Sequence, residues 1–204
     1  MSDSSLSFRS KSRNLRAAAA SEKSASSGDA SSAFEMTARQ LSIEAMEPDD
    51  WPAVRDIYLA GLATGDASFE ISAPDWEKWE AKYPRQFRLV ARDDRGAVLG
   101  WAALTAVSDR RVYAGVMEVS VYVASDARRG GIGEKLLRAL VDVSERGGIW
   151  TLQSGVFPEN TASIRLHLKC GFREVGRRER LGKREGVWRD ALLLERRSDV
   201  AGMD

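Results

Sequence analysis

The sequence predicts an α/β (α+β) fold, in which a mixed central β-sheet is flanked by helices within a single domain. Two observations support this prediction. Short segments with alternating apolar residues recur along the chain, and they are interleaved with segments whose apolar residues fall at helical spacing. From residue 41 onward the predicted order is β-α-α-β-β-β-α-β-α-β-β, which fits a sheet covered by helices and excludes a bundle or a repeat array.

The individual elements follow from periodicity and from turn residues. Pro48 begins a first helix, whose acidic first turn suits the positive helix end, and Pro74 begins a second, shorter one. A glycine turn ending at Gly96 separates two strands of a predicted hairpin. Strands are predicted at residues 41–46, 87–92, 97–105, 116–124, 151–157, 172–181 and 187–196, and the two later helices at 131–146 and 160–169.

Composition excludes several classes of function. The 31 Lys and Arg residues balance the 30 Asp and Glu residues, so the chain has no overall basic field for nucleic acid or membrane. The single cysteine, Cys170, excludes an internal disulfide, and the single histidine, His167, argues against a zinc site. No apolar run approaches the ~18–20 residues that span a bilayer. We therefore expect a cytoplasmic protein without a metal.

The chain divides into three regions by composition. Residues 1–38 form a Ser/Ala/Arg-rich extension with few large apolar residues, which predicts disorder. Its arginines also resemble a transit peptide, and Met36 is an alternative start. Residues 39–198 form the predicted domain, and residues 199–204 a flexible tail.

A basic, glycine-dense turn at residues 128–133 provides the most specific chemical signal. It reads Arg-Arg-Gly-Gly-Ile-Gly and joins a strand to an amphipathic helix. Free N–H groups at a helix start bind anions, and glycines allow close approach of phosphate oxygens. A Walker loop would end in Gly-Lys-Ser/Thr, and a dinucleotide fold would place its glycines earlier in a parallel sheet. A turn with two solvated arginines remains the alternative.

The turn resembles the Arg/Gln-x-x-Gly-x-Gly signature of the GNAT N-acetyltransferases. A second similar element, an Asn followed by a short helix and Gly-Phe, spans residues 160–172. Within that superfamily the chain is most similar to the phosphinothricin and methionine sulfone acetyltransferases. The resemblance covers residues 41–197, with matching segments at 67–70, 100–102, 110–113, 118–123, 166–167 and 186–190.

The resemblance implies acetyl-CoA as co-substrate and a homodimer. The CoA pyrophosphate would lie on the amides of the turn, and the pantetheine arm would pair with the preceding strand. Asn160 would hydrogen-bond the arm near the thioester, although Asn also suits a helix N-cap. The implied cofactor-binding residues are Val121, Tyr122, Val123, Arg128, Arg129, Gly130, Gly131, Ile132, Gly133, Glu134 and Asn160.

Strand parity singles out Glu118 independently of the family. It shares one face of its strand with Ser120 and Tyr122, and a carboxylate in an otherwise core-like strand needs solvent, a partner or a substrate. Glu118 is therefore the candidate general base that deprotonates the incoming ammonium, with a structural salt bridge as the alternative. The N–H groups near Val121 would stabilise the oxyanion.

His167 is the candidate acid for the leaving thiolate, because many family members have a tyrosine seven residues after the Asn. A structural histidine is the alternative, and a thiolate can also leave without an acid because thiol pKa values lie near ~8.5. We expect Cys170 to be a small core residue.

The acceptor pocket is the least defined part of the prediction. The substrate-binding candidates are Phe69, Glu70, Arg110 and Tyr113, and Arg110 or Arg111 would pair with an acceptor carboxylate. Trp101, Lys183 and Trp188 lie in segments that border the same cleft in relatives. The predicted function is acetylation of the primary amine of a small amino-acid-like molecule. A polyamine, an aminoglycoside, a protein N-terminus or a non-catalytic CoA-binding module remain alternatives.

Overall fold

The computed structural model describes residues 41–203, so the extension predicted over residues 1–38 lies outside the described residues. The strands are β1 Ser42–Ala45, β2 Arg88–Arg92, β3 Val98–Ala106, β4 Val116–Val123, β5 Thr151–Val156, β6 Arg173–Arg184 and β7 Val187–Arg197. The helices are α1 Trp51–Leu62, α2 Trp76–Lys82, α3 Ile132–Arg146 and α4 Thr161–Lys169. Pro48 begins a short 3-10 turn rather than the α-helix itself, which starts at Trp51.

The strands form one sheet in the order β1-β2-β3-β4-β5-β7-β6. Every described pair is antiparallel except β4 and β5, which are parallel. The predicted mixed sheet with helices packed against it is therefore confirmed. A parallel pair needs a crossover, and α3 provides it between β4 and β5.

The two faces of the sheet bury separate cores. On one face, Leu104 and Val119 pack against α3, whose apolar stripe contributes Leu136 and Leu140. The other face buries an aromatic core between the sheet, α1 and α2, with Trp101 and Trp79 at 1% and 0% exposure. Since residues alternate between faces, Glu118, Ser120 and Tyr122 lie on the aromatic side of β4.

The sheet opens between β4 and β5. These strands are paired only over Val116–Glu118 and Thr151–Gln153. Beyond that point β4 stays paired with β3 as far as Val123, and β5 stays paired with β7 as far as Val156. The two strands thus separate in the middle of the sheet, and each presents an unpaired backbone edge to the other.

The end of the chain, where a flexible tail is predicted over residues 199–204, makes hydrogen bonds to Arg197 and Ser198. Arg197 donates hydrogen bonds to the carbonyl oxygens of Ala201, at 2.8 Å, and of Gly202. The Ser198 hydroxyl accepts from the amide of Ala201 at 3.0 Å, and Ala201 is 8% exposed. These contacts satisfy backbone groups of the segment internally, and its flexibility stays a prediction.

Candidate functional site

A groove of about 1200 Å³ occupies the opening between β4 and β5. It continues over the turn before α3 at one end and reaches the loop after α1 and the end of α2 at the other. The predicted site residues that line it are Phe69, Glu70, Glu118, Val121, Tyr122, Val123, Arg128, Arg129, Gly131, Ile132, Gly133, Glu134, Asn160 and His167.

The turn before α3 offers free backbone donors. Gly131 is the N-cap of α3 with φ 76°, and no side chain caps the helix. Arg129 also has a positive φ of 68°, which is uncommon for a residue with a Cβ. A Cβ added at Gly131 would meet no atom within 4 Å. The position therefore requires glycine for its positive φ and not for lack of space. The uncapped N–H groups and the helix dipole form an anion site.

Gly133 has a packing role in addition to the predicted one. A Cβ at this position would lie 3.2 Å from Leu166 Cδ2, so the glycine lets α3 approach α4 closely. Arg128 donates from Nε to the carbonyl oxygen of Val123 at 3.4 Å and so marks the end of β4. The turn, the strand end and α4 are thereby held together around one side of the groove.

Glu134 places a carboxylate in the first turn of α3, where its side chain is held by two cations. Lys169 Nζ lies 2.5 Å and Arg138 Nε 3.0 Å from its oxygens. These hydrogen bonds, that of Lys169 first, hold the pKa of Glu134 below its ordinary value. The contribution of Glu134 to an anion site is therefore its backbone amide, since its side chain is an anion itself.

Glu118 faces the groove without a cation partner. No ion pair or hydrogen bond of its carboxylate occurs among residues 41–203, which leaves the alternative of a structural salt bridge without support. A Cβ added at Gly155 of β5 would lie 3.8 Å from Glu118 Oε1, so the carboxylate extends toward the neighbouring strand. An unpaired carboxylate in a groove is available to accept a proton from a ligand.

Aromatic hydroxyls surround the same side of β4. Tyr83 and Ser120 share a hydrogen bond of 3.1 Å, and the Tyr58 and Tyr122 rings pack edge to face at 4.9 Å. Burial raises the pKa of Tyr58 to about 12 and raises the pKa of Tyr122 further. The hydroxyls of Tyr58 and Tyr122 therefore stay protonated at neutral pH and are donors rather than bases.

Asn160 uses both ends of its amide within the protein. Oδ1 accepts from the amide of Ser163 at 3.1 Å, which caps α4, and Nδ2 donates to the carbonyl oxygen of Asp66 at 3.1 Å. Arg189 of β7 adds a second tie to the same loop, through Asp66 Oδ1 at 3.2 Å. The loop after α1 is therefore bound to the start of α4 and to β7. One N–H of Nδ2 and one lone pair of Oδ1 are left for a ligand.

The loop that Asn160 holds presents Phe69 and Glu70 to the groove. The Phe69 ring packs edge to face on Phe157 at 4.8 Å. A Cβ at Gly182 of β6 would lie 2.9 Å from the Phe69 ring. The absence of a side chain at Gly182 therefore makes room for this ring. Phe69 is an anchor for the loop as well as a part of the groove wall.

His167 is buried, with 1% exposure, and its tautomer is determined by its neighbours. Nδ1 lies 2.8 Å from the carbonyl oxygen of Ser163, which only accepts, so Nδ1 carries the proton. Nε2 has no partner within residues 41–203 and holds a lone pair in the neutral ring. Burial lowers the pKa of His167 and disfavours the doubly protonated form. This hydrogen bonding opposes the predicted acid role, because the neutral ring has no proton to donate at Nε2.

Three predicted site residues do not line the groove: Gly130, Arg110 and Tyr113. Arg110 lies over the ring of Tyr113 at 5.3 Å, and both are exposed on the connection between β3 and β4. Trp101 is a core residue, whereas Lys183 and Trp188 lie on the β6–β7 hairpin, outside the groove lining.

The sequence reasoning missed other lining residues. These come from α1, from the loop after it and from the end of α2: Tyr58, Asp66, Lys82 and Tyr83. No sequence motif contains these residues. The only sequence feature that could have indicated any of them is the position of Lys82 and Tyr83 at the end of a predicted short helix.

Within the described part of the chain, no group of three or more His, Cys, Asp or Glu side chains is arranged to hold a metal ion. Over the same residues, no helix combines the length and apolarity that a membrane crossing requires. Cys170 is buried and reduced, and burial raises the pKa of its thiol, so its thiolate is disfavoured at neutral pH.

The fold and the groove are those of an acyl-group transferase. The profile of the acetyltransferase (GNAT) family matches residues 51–172, and the chain belongs to this family.

Among characterised relatives, a phosphinothricin N-acetyltransferase of Alcaligenes faecalis is 37% identical over 161 residues, which cover 76% of this chain and 81% of the relative. An L-methionine sulfoximine/L-methionine sulfone acetyltransferase of Pseudomonas paraeruginosa is 30% identical, covering 72% of this chain and 88% of the relative. A similar solved structure is a phosphinothricin acetyltransferase from Sinorhizobium meliloti in complex with AcCoA. It is 27% identical, with a TM-score of 0.73, and the match covers 80% of this chain and 91% of that one.

Proposed function

We propose that this enzyme transfers the acetyl group of acetyl-CoA to the primary amine of a small amino-acid-like molecule. One observation supports this most strongly: the unpaired edge of β4 leads from the uncapped turn before α3 to the unpaired carboxylate of Glu118. A single strand thus connects an anion site to a base. That arrangement suits a long phosphorylated donor whose reactive end must meet an amine.

The residues of the groove fit acetyl-CoA. The amides of residues 131–134 would bind the pyrophosphate, with Arg128 and Arg129 adding positive charge. The open edge of β4 from Val121 to Val123 would pair with the amides of the pantetheine arm, much as an added strand completes a sheet. Acetyl-CoA supplies an activated thioester that the amine attacks directly.

Glu118 would accept the proton of the incoming ammonium, directly or through one water, because only the neutral amine has a lone pair for attack. The amide of Val121 lies on the unpaired edge, where it would stabilise negative charge developing on the thioester oxygen. The thiolate would leave without an acid, since His167 in its neutral form holds a lone pair at Nε2.

The names of the relatives support the acceptor class. The Alcaligenes and Pseudomonas enzymes act on phosphinothricin and on methionine sulfoximine or sulfone, which are small amino acid analogues. A CoA-binding module without turnover is the second candidate function. Glu118 argues against it, because binding CoA alone gives no use for an unpaired carboxylate in the groove.

The test is acceptor-dependent release of CoA, followed with a thiol reagent. The panel contains phosphinothricin, methionine sulfone, methionine sulfoximine, ordinary amino acids, a polyamine and an aminoglycoside. We expect release with the amino acid analogues. Release only with the polyamine or the aminoglycoside would overturn the acceptor class, and acetyl-CoA binding without release across the panel would favour the binding module.

We also propose that the enzyme works in the cytoplasm as a homodimer. Large apolar side chains are exposed on the β3–β4 connection and on the β6–β7 hairpin, with Val112 at 67%, Val187 at 62% and Trp188 at 54%. Such exposure is typical of surfaces that bind another chain. Sedimentation equilibrium would give twice the chain mass, and a monomer at micromolar concentration would contradict the proposal.

A further inference from the structure

The loop after α1, residues 63–70, forms one wall of the groove at the end away from the glycine turn, and is called the acceptor loop below. Loops are more mobile than the strands and helices beside them, so the contacts that hold this one determine the shape of the site. Its groove-lining residues are Thr64, Asp66, Ala67, Ser68, Phe69 and Glu70.

Arg189 of β7 binds the acceptor loop from outside the groove lining. Its Nη2 donates to Asp66 Oδ1 at 3.2 Å, and its Nη1 donates to the carbonyl oxygen of Gly65 at 3.4 Å. Arg189 does not line the groove itself, and its side chain is only 20% exposed. It can therefore act on the site through the loop but not by touching a ligand.

The same guanidinium also binds the connection between β5 and α4. Its Nη2 donates to Glu159 Oε2 at 3.1 Å, and its central carbon lies 4.4 Å from the centroid of the Phe157 ring, a cation–π contact. Asn160, in the same connection, donates to the carbonyl oxygen of Asp66 at 3.1 Å. Arg189 belongs to neither segment and joins the two, and Asn160 joins them a second time.

Loss of this guanidinium would leave two carboxylates without their shared cation. Asp66 and Glu159 bind the same nitrogen, so they are neighbours, and like charges at short range repel each other. Both carboxylates are about half exposed, so solvent weakens the repulsion without removing it. We expect a displaced loop and not an unfolded chain, because Asn160 still binds the loop and Arg184 still donates to the carbonyl oxygen of Leu62 at the end of α1.

We propose that Arg189 is a positioning residue for the acceptor: it fixes the acceptor loop at the groove and thereby sets the affinity for the amine that Glu118 deprotonates. The inference rests on the function proposed above. The hydrogen bonds of Arg189 go to the two loop segments and not to β4 or to the turn before α3. Binding of acetyl-CoA should therefore depend little on Arg189, whereas binding of the acceptor should depend on it.

The experiment measures the KM for methionine sulfone, kcat, and the Kd for acetyl-CoA by calorimetry. For Arg189→Gln we expect the acceptor KM to rise about 5- to 10-fold, as for the loss of hydrogen bonds from a charged group that solvent partly screens. The value of kcat and the Kd for acetyl-CoA should stay within about twofold. Arg177→Gln is the matched control, because Arg177 donates to Asp190 Oδ2 at 2.7 Å on the same hairpin but does not line the groove.

Two further variants test the contact itself. Arg189→Lys should restore part of the affinity, because an ammonium keeps the positive charge but lacks the planar fork that binds several oxygens at once. Asp66→Asn weakens the same contact from the side of the loop and should raise the acceptor KM by a smaller factor. Combined with Arg189→Gln it should raise the KM no further than Arg189→Gln alone, since both substitutions remove one interaction.

Chymotrypsin cleavage after Phe69, followed by mass spectrometry, measures the loop independently of turnover. Its rate reports the population in which the loop is open, so it should rise with Arg189→Gln and not with Arg177→Gln. An unchanged acceptor KM, an unchanged cleavage rate or equal effects of Arg177→Gln would overturn the role of Arg189 while the proposed function stands. If the unsubstituted enzyme acetylates none of the amino acid analogues, the proposed function fails, and the cleavage rates still decide the role of Arg189.

Discussion

The two ends of the groove differ in the kind of group that faces a ligand: backbone groups at one end and side chains at the other. At the end near α3, the ligand-facing groups are backbone donors of β4 and of the glycine turn. At the end near α2, they are side chains of Tyr58, Lys82 and Glu118, from three separate elements. Backbone groups recognise what all acyl-CoA donors share, whereas side chains select among acceptors. Different acceptors can therefore be accommodated without altering the donor end.

The largest expected effect comes from the acceptor end. Glu118→Gln removes the proton acceptor but keeps the size of the side chain, so kcat should fall about 10²- to 10⁴-fold. Acetyl-CoA binding, measured by calorimetry, should stay within about twofold because the donor end is untouched. Raising the pH should partly restore kcat, since the free amine then forms in solution. A kcat unchanged by the substitution would remove Glu118 from the mechanism.

A smaller effect is expected from the donor end, where Gly131→Ala tests the backbone conformation. At φ 76° an alanine costs about 1–2 kcal/mol, and the turn can relax only by moving its N–H groups. We expect the KM for acetyl-CoA to rise about 5- to 10-fold with little change in the acceptor KM.

Gly96→Ala is the matched control for that substitution. Gly96 has φ 81° and likewise has no atom within 4 Å of an added Cβ, but it lies in the turn between β2 and β3. It should lose a similar free energy of unfolding and keep both KM values. A rise in the acceptor KM with Gly131→Ala would show that the two ends are coupled rather than independent.

The smallest expected effect concerns His167, a buried residue of α4 that lines the groove. Its pKa in the folded protein lies below the ordinary 6.5, so the unfolded chain binds the proton more tightly. The free energy of unfolding therefore falls as the pH drops below about 6.5, by about 1 kcal/mol over one unit. Urea unfolding at about pH 7.5 and about pH 5.5 measures this loss.

His167→Asn should remove that pH dependence, because Asn places an N–H near the carbonyl of Ser163 but does not titrate. Several carboxylates have lowered pKa values and lose their contribution only as the pH falls below about 4.5, outside this window; they are Glu44, Asp75, Glu134, Glu145 and Asp190. A loss that persists in the variant would assign the dependence to another group.

Most of the fold could be predicted because its signals are local. The apolar stripe of α3 and the alternation in β4 depend only on residues next to one another in the chain. The glycine turn was equally clear, since a helix start with adjacent glycines is read from six consecutive residues. The contacts of the segment after Arg197 could not be predicted, because no periodicity encodes hydrogen bonds from a guanidinium to backbone oxygens.

The acceptor end resisted prediction for a physical reason. Lys82 and Glu118 both line this end of the groove, but they are 36 residues apart in the chain and no local pattern connects them. The tautomer of His167 likewise depends on where the Ser163 carbonyl points. The residues predicted from family likeness, Arg110 and Tyr113, contact each other instead of the groove.

The separation of β4 and β5 has a consequence for handling the protein. Unpaired strand edges tend to recruit other strands, and natural sheets usually cover them. Here such edges lie at the centre of the sheet, between Val119–Val123 and Ser154–Val156, rather than at its border. A ligand that pairs with β4 would cover this edge, so CoA added during purification and storage should slow aggregation as well as raise the melting temperature.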